Sequence, residues 1–107
     1  MSVMTAIPVQ PYSAELLEYA RKHGVEHILD PLLETTRALF PDATEIRVFL
    51  EEDPECSDLF FIVYEVRTPP NLAEWRSARQ RWIEQELLIH PIPRQVPFVL
   101  TLFSSTP

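Results

Sequence analysis

Glycine is nearly missing from this sequence. The 107 residues contain one, Gly24, against a usual share of about 7%. Phosphate-cradling loops, dinucleotide fingerprints and nucleophile elbows all need glycine where the backbone turns sharply or approaches a ligand. None can be written into this chain, so the commonest nucleotide-binding designs are excluded. Cysteine is as scarce. Cys56 stands alone, no internal disulfide is available, and a reducing, cytoplasmic compartment is the simplest expectation. Positive charge is short: nine Lys and Arg face sixteen Asp and Glu, a net charge of −7. That sign disfavours nucleic acid and anionic membrane surfaces, both of which are bound by cationic side chains. No stretch reaches the roughly 18 apolar residues of a membrane span. Residues 1–11 carry no base before their apolar stretch and are interrupted by Pro8, so no signal peptide is expected.

The apolar fraction, 46%, is well above that of disordered chains, and the length suits one domain with one core. The expected organisation is an extended arm over residues 1–12, a single domain over 13–103 and a short tail over 104–107. Eleven prolines punctuate the elements. Ser13 reads as the N-cap of a first helix, Glu15 suits its first turn, and Gly24 reads as its C′ residue. Asp30-Pro31 reads as the start of a second helix, with Leu32, Leu33, Thr36, Leu39 and Phe40 at helical spacing until Pro41. Whether residues 25–29 form a turn or join a neighbouring helix stays open.

Residues 45–50 and 59–66 alternate as strands joined by a polar connection, which reads as an antiparallel hairpin. Asn71 and Glu74 form a capping box for a long helix over about 72–89. On it Leu72, Trp75, Ala78 and Trp82 make the expected core stripe, flanked by Ile83 and Leu87. His90-Pro91 stops this helix, and residues 96–103 read as a last strand. The fold class is therefore α+β, order α-α-β-β-α-β, with a three-stranded, mainly antiparallel sheet packed by the long helix and the short N-terminal helices. The last strand is expected beside the first. The alternative is a right-handed parallel crossover onto the second. Phe49, Phe61, Val63, Val99 and Phe103 make the second sheet face apolar as well, so it needs either helices on both sides or a dimer partner.

The most conspicuous charge cluster runs from Asp42 to Asp58, where seven acids meet one base, Arg47. Within it Glu51, Glu52, Asp53, Glu55 and Asp58 are the candidate partner-binding residues, suited to a basic protein. Carboxylates also suit a hard cation, but the glycine and alternating ligands of a calcium loop are absent. The plain alternative is a solvated hairpin end that guards the sheet edge. His23 and His27 lie four apart, but Gly24 ends the helix between them and removes a shared metal face. Cys56 sits among carboxylates, which disfavour the thiolate. Arg76, Arg79 and Arg81 beside Trp75 and Trp82 have the residue types of a nucleic-acid surface, but Glu74, Glu84 and Glu86 cancel their charge. A core-facing tryptophan stripe explains them better. No catalytic site, metal site or cofactor is expected.

The run Ala38-Leu39-Phe40-Pro41-Asp42, a strand, Asp53-Pro54-Glu55, a second strand, a Trp-bearing helix and a last strand ending near Phe103 resembles a loose group of small uncharacterised bacterial proteins. Some of these are encoded in two-gene, toxin–antitoxin-like settings. The resemblance covers residues 31–103, rests on short structural motifs, and implies a protein partner but no activity or catalytic residue. The chain departs from it in having no glycine after Phe40-Pro41. Two functions of different class follow: a non-enzymatic interaction module, antitoxin-like toward a basic protein and able to self-associate, or a small ligand-binding domain or enzyme. The second would have its pocket between the sheet and the long helix, lined by Tyr64, Arg79 and Glu86.

Overall fold

The computed structural model describes residues 12–89 and 96–105, without the side chains of residues 53 and 56–59. The order is α1 (Ala14–Lys22), α2 (Glu26–Leu39), β1 (Glu45–Asp53), β2 (Cys56–Thr68), α3 (Leu72–Ile89) and β3 (Phe98–Ser104), an α+β fold. Local chemistry sets several boundaries. The Ser13 hydroxyl accepts from the Leu16 amide at 3.0 Å and starts α1. Gly24 follows the His23 cap with φ +70°, the left-handed conformation that glycine adopts without steric cost. The Asn71 side chain accepts from the Glu74 amide at 3.1 Å at the start of α3.

α2 begins at Glu26, five residues before the Pro31 start that the Asp30-Pro31 signal suggests. Pro31 sits inside it, where proline removes one helical hydrogen bond. The position is exposed, as is His27 one turn earlier, so water reaches the freed carbonyl. In exchange Ile28 and Leu29, each 1% exposed, join Leu32 and Leu33 in the core. Asp30 caps nothing and instead accepts from the Tyr12 hydroxyl at 2.8 Å.

The sheet order is β1-β2-β3. β1 and β2 pair antiparallel from Glu45↔Arg67 to Asp53↔Cys56, with an irregularity at Glu52/Asp53. β3 lies beside β2 and parallel to it, from Ile62↔Phe98 to Thr68↔Ser104. The sheet is therefore mixed rather than mainly antiparallel, and the expected place of β3 beside β1 is corrected. A physical reason lies in strand composition. The near-continuous apolar run of β2 suits a central strand, while β1, with Glu45, Arg47, Glu51 and Glu52, suits an edge.

The described helices lie on one face of this sheet. Ile46 and Val48 of β1, Ile62, Tyr64 and Val66 of β2, and Phe98 and Leu100 of β3 point into the core. There they meet Leu16 and Ala20 of α1, Ile28 to Thr36 of α2, and Ala78 and Trp82 of α3. Two buried polar links fasten the layers. The Trp82 indole N–H donates to the Thr36 hydroxyl at 2.9 Å, and that hydroxyl donates to the Leu32 carbonyl at 2.7 Å. The Tyr64 hydroxyl donates to the Leu29 carbonyl at 2.9 Å.

Thr36→Val keeps the shape of the side chain and leaves the buried Trp82 N–H without an acceptor. The expected cost is about 1–3 kcal/mol, read as a lower urea midpoint at unchanged slope. In a Trp82→Phe background the same change should cost clearly less, because no indole N–H is then stranded. Equal costs in both backgrounds would refute the link.

Candidate functional site

The acidic cluster is strand rather than loop for most of its length. Residues 51–53 extend β1, 56–58 begin β2, and only Pro54 and Glu55 make the turn. Glu51, Glu52 and Glu55 are exposed at this end of the hairpin. The side chains of Asp53 and Asp58 lie outside the described residues. The one base of the segment is spent elsewhere: Arg47 Nη1 donates to Glu65 Oε1 at 3.0 Å across the strands, and its guanidinium lies 5.1 Å from the Phe49 ring centroid. No ion pair engages Glu51 or Glu52 among the described residues. No group of three or more metal-ligating side chains gathers among them either.

The acidic end continues onto the sheet face that no described helix covers. Strand alternation places Glu45, Arg47, Phe49 and Glu51 of β1 on this face, opposite Arg67, Glu65, Val63 and Phe61 of β2, with Val99, Thr101 and Phe103 of β3 alongside. Glu45 and Arg67 pair at 3.5 Å, and Arg67 lies 5.3 Å from the Phe103 ring centroid. Phe49, Phe61 and Val99 are half-buried, Phe103 is exposed, and Val63 and Glu65 are buried. The face thus combines an apolar band next to the acidic end with two cross-strand ion pairs beyond it.

The three residues of the pocket reading are placed apart in character. Tyr64 is wholly buried, with its ring 6.0 Å from that of Trp82 in an edge-on arrangement. Glu86 is buried on the inner side of α3. Arg79 is exposed and donates from Nη1 to the Leu100 carbonyl at 3.1 Å. The Pro97 carbonyl and the Ser105 amide bond to β2, so in a parallel ladder the even-numbered carbonyls of β3 face outward. Arg79 therefore covers one acceptor of the outer sheet edge. Beside it runs a groove of about 410 Å³, lined by Leu72, Trp75, Arg76, Arg79 and residues 99–102. Tyr64 and Glu86 do not line it.

The outward side of α3 differs from the expected stripe. Ala78, Trp82 and Glu86 are its buried residues, while Leu72, Ile83, Leu87 and Leu88 are exposed. Of the histidines, His23 stacks against Tyr19 with ring centroids 4.3 Å apart, His27 is exposed on α2, and His90 lies outside the described residues. No helix of the described residues is long and apolar enough to cross a membrane. No protein-family model, curated protein or solved structure matches the chain.

Burial pushes the Tyr64 phenol well above the ordinary tyrosine range. Tyr12 moves the same way through burial and its bond to the Asp30 carboxylate. A phenol held neutral in the fold but free to ionise in the unfolded chain contributes stability that is intact below the unfolded value, about 10, and is lost as pH rises above it. Tyr64→Phe should cost about 1 kcal/mol at neutral pH through the lost bond to Leu29. That deficit should shrink at about pH 11, where the wild-type chain pays for a tyrosine that cannot ionise in place. Urea unfolding at the two pH values reads the difference, and a constant deficit would contradict the burial of this hydroxyl.

Proposed function

We propose that this chain is a non-enzymatic protein-interaction module of the cytoplasm that binds a basic protein, in the manner of an antitoxin, through the acidic end of its hairpin. The observation that carries the reading is the isolation of Glu51 and Glu52. They are exposed, no described cation neutralises them, and the only base of the segment is committed to Glu65. The neighbouring Phe61, cross-strand from Glu51, begins the apolar band of the helix-free face. A basic surface would therefore meet carboxylates first and apolar side chains next. This is the usual division between charges that steer encounter and apolar groups that hold the complex.

Charge steering of this kind weakens with salt, because exposed charges are screened over about 8 Å at physiological ionic strength. The test is association of the tagged chain with the basic protein it retains from its native lysate, measured at low and high salt. A variant carrying Glu51→Gln, Glu52→Gln, Asp53→Asn and Glu55→Gln is measured alongside. Association should slow about tenfold or more at low salt in the variant, and wild type should lose the same advantage at high salt. Unchanged association in the variant would sink the reading.

The groove beside β3 favours a second reading, a site for a small ligand with an apolar body and an acidic group. Leu72, Trp75, Val99 and Leu102 are among its apolar lining residues, and Arg76 and Arg79 are its only charged ones among the described residues. Medium-chain carboxylates should then raise the melting temperature in proportion to occupancy, and Arg76→Gln should abolish the rise. No shift with any chain length removes this reading.

A further inference from the structure

The outward side of α3 carries a pattern that the proposed partner site does not use. Leu72, Ile83, Leu87 and Leu88 are the exposed large apolar residues of this helix, on the side away from Ala78, Trp82 and Glu86. A surface helix ordinarily keeps its apolar residues on the buried side, so apolar residues on both sides point to a second contact. Gln80 lies near the middle of the 18-residue helix. At roughly 100° per residue, Ala73, Arg76, Ser77, Ile83, Glu84 and Leu87 all fall within about 60° of Gln80 around the helix axis. All of them are exposed.

This seam is complementary to itself when reversed about Gln80. In an antiparallel pair related by a two-fold axis at that residue, positions equally far before and after it meet. Ala73 then faces Leu87 of the second copy, Ser77 faces its Ile83, Arg76 faces its Glu84, and Gln80 faces Gln80. Small residues oppose large ones, as close antiparallel helix packing requires. Each charge opposes its counter-charge, twice by symmetry. Two side-chain amides meet on the axis; each donates to the Glu84 carboxylate of its own helix at 3.1 Å and keeps its oxygen and its second N–H for the other copy. Shifting the crossing point by one turn to Arg76 sets two guanidinium groups against each other, and shifting it to Glu84 does the same with two carboxylates. Of these three crossings, the one at Gln80 satisfies charge and size together.

We infer that α3 is a homodimerisation element, on which a second copy of this chain docks its own α3 antiparallel about a two-fold axis at Gln80. This surface is separate from the acidic hairpin end, so the inference stands or falls independently of the proposed partner.

Within one chain Arg76 and Glu84 lie eight residues apart, about 12 Å along the axis, too far to pair. Glu84→Arg alone also loses the bond from Gln80 within the chain, so restoration by the double variant is what reports on contact across copies. Sedimentation equilibrium over a range of concentrations should show a monomer–dimer equilibrium. Arg76→Glu alone and Glu84→Arg alone should each weaken the dimer about tenfold, since two attractive pairs become repulsive. The double variant should restore it. A cysteine at the axis adds a second readout: with Cys56 replaced by Ser, Gln80→Cys should cross-link under mild oxidation far faster than the exposed control Glu34→Cys. A monomer at every concentration, a dimer indifferent to both single reversals, or equal cross-linking of the two cysteine variants would each overturn the inference.

Discussion

The hydroxyl of Thr36 is the point on which the arrangement turns. It is buried in the last turn of α2, accepts from the Trp82 indole of α3 and donates to the Leu32 carbonyl of its own helix. A helical threonine commonly returns its hydroxyl to the preceding turn. Here that habit leaves an oxygen lone pair for α3, and the buried tryptophan of α3, Trp82, uses it. Seven residues earlier on α2, the Leu29 carbonyl accepts from the Tyr64 hydroxyl, while the Tyr64 and Trp82 rings meet edge-on. Two aromatic side chains from different elements are thus tied to two carbonyl-bearing turns of α2. Dispersion and apolar burial supply most of the stabilisation, but they are non-directional. The hydrogen bonds select which faces of α2, α3 and β2 meet.

That selection makes the molecule one-sided. With α1, α2 and α3 gathered on the face of Ile62, Tyr64 and Val66, no helix among the described residues covers the opposite face. Arg47–Glu65 and Glu45–Arg67 neutralise each other across the strands, which lets charged residues sit on a sheet face at low cost. It also removes Arg47 from the acidic hairpin end. The negative charge at Glu51 and Glu52 is a consequence of this pairing as much as of composition. The same one-sidedness leaves α3 on the rim, with β3 and α2 as neighbours and an outer surface that carries apolar residues of its own.

Features governed by neighbours in sequence were legible in the sequence. Ser13, Gly24 and Asn71 end or begin helices because caps are local chemistry, and the α+β order followed from them and from strand alternation. Features governed by distant contacts were harder. Pro31 outweighed the Ile28, Leu29, Leu32, Leu33 spacing in the reading of α2, although four buried side chains outweigh one lost hydrogen bond at an exposed turn. The place of β3 depended on which strand is central, and the continuous apolar run of β2 was the available signal. The stripe on α3 differs from its sequence pattern because a buried acid, Glu86, interrupts the hydrophobic spacing while Leu72 and Leu88 continue it on the solvent side. The cross-strand pairs were written in the sequence as Glu45-x-Arg47 and Glu65-x-Arg67, which become complementary as soon as the strands run antiparallel. The acidic residues stand out in the sequence by charge density, but that density does not show that most of them lie in strands, because acidic runs are more usual in loops.

Amide hydrogen exchange under native conditions, followed through low concentrations of urea, tests the central claim that Thr36 joins α2 and α3 into one cooperative unit. The account predicts that amides near Leu32–Thr36 of α2 and Ala78–Trp82 of α3 open with the same free energy, the free energy of global unfolding. Opening of α3 at a distinctly lower free energy, while α2 and β2 stay protected, would contradict it.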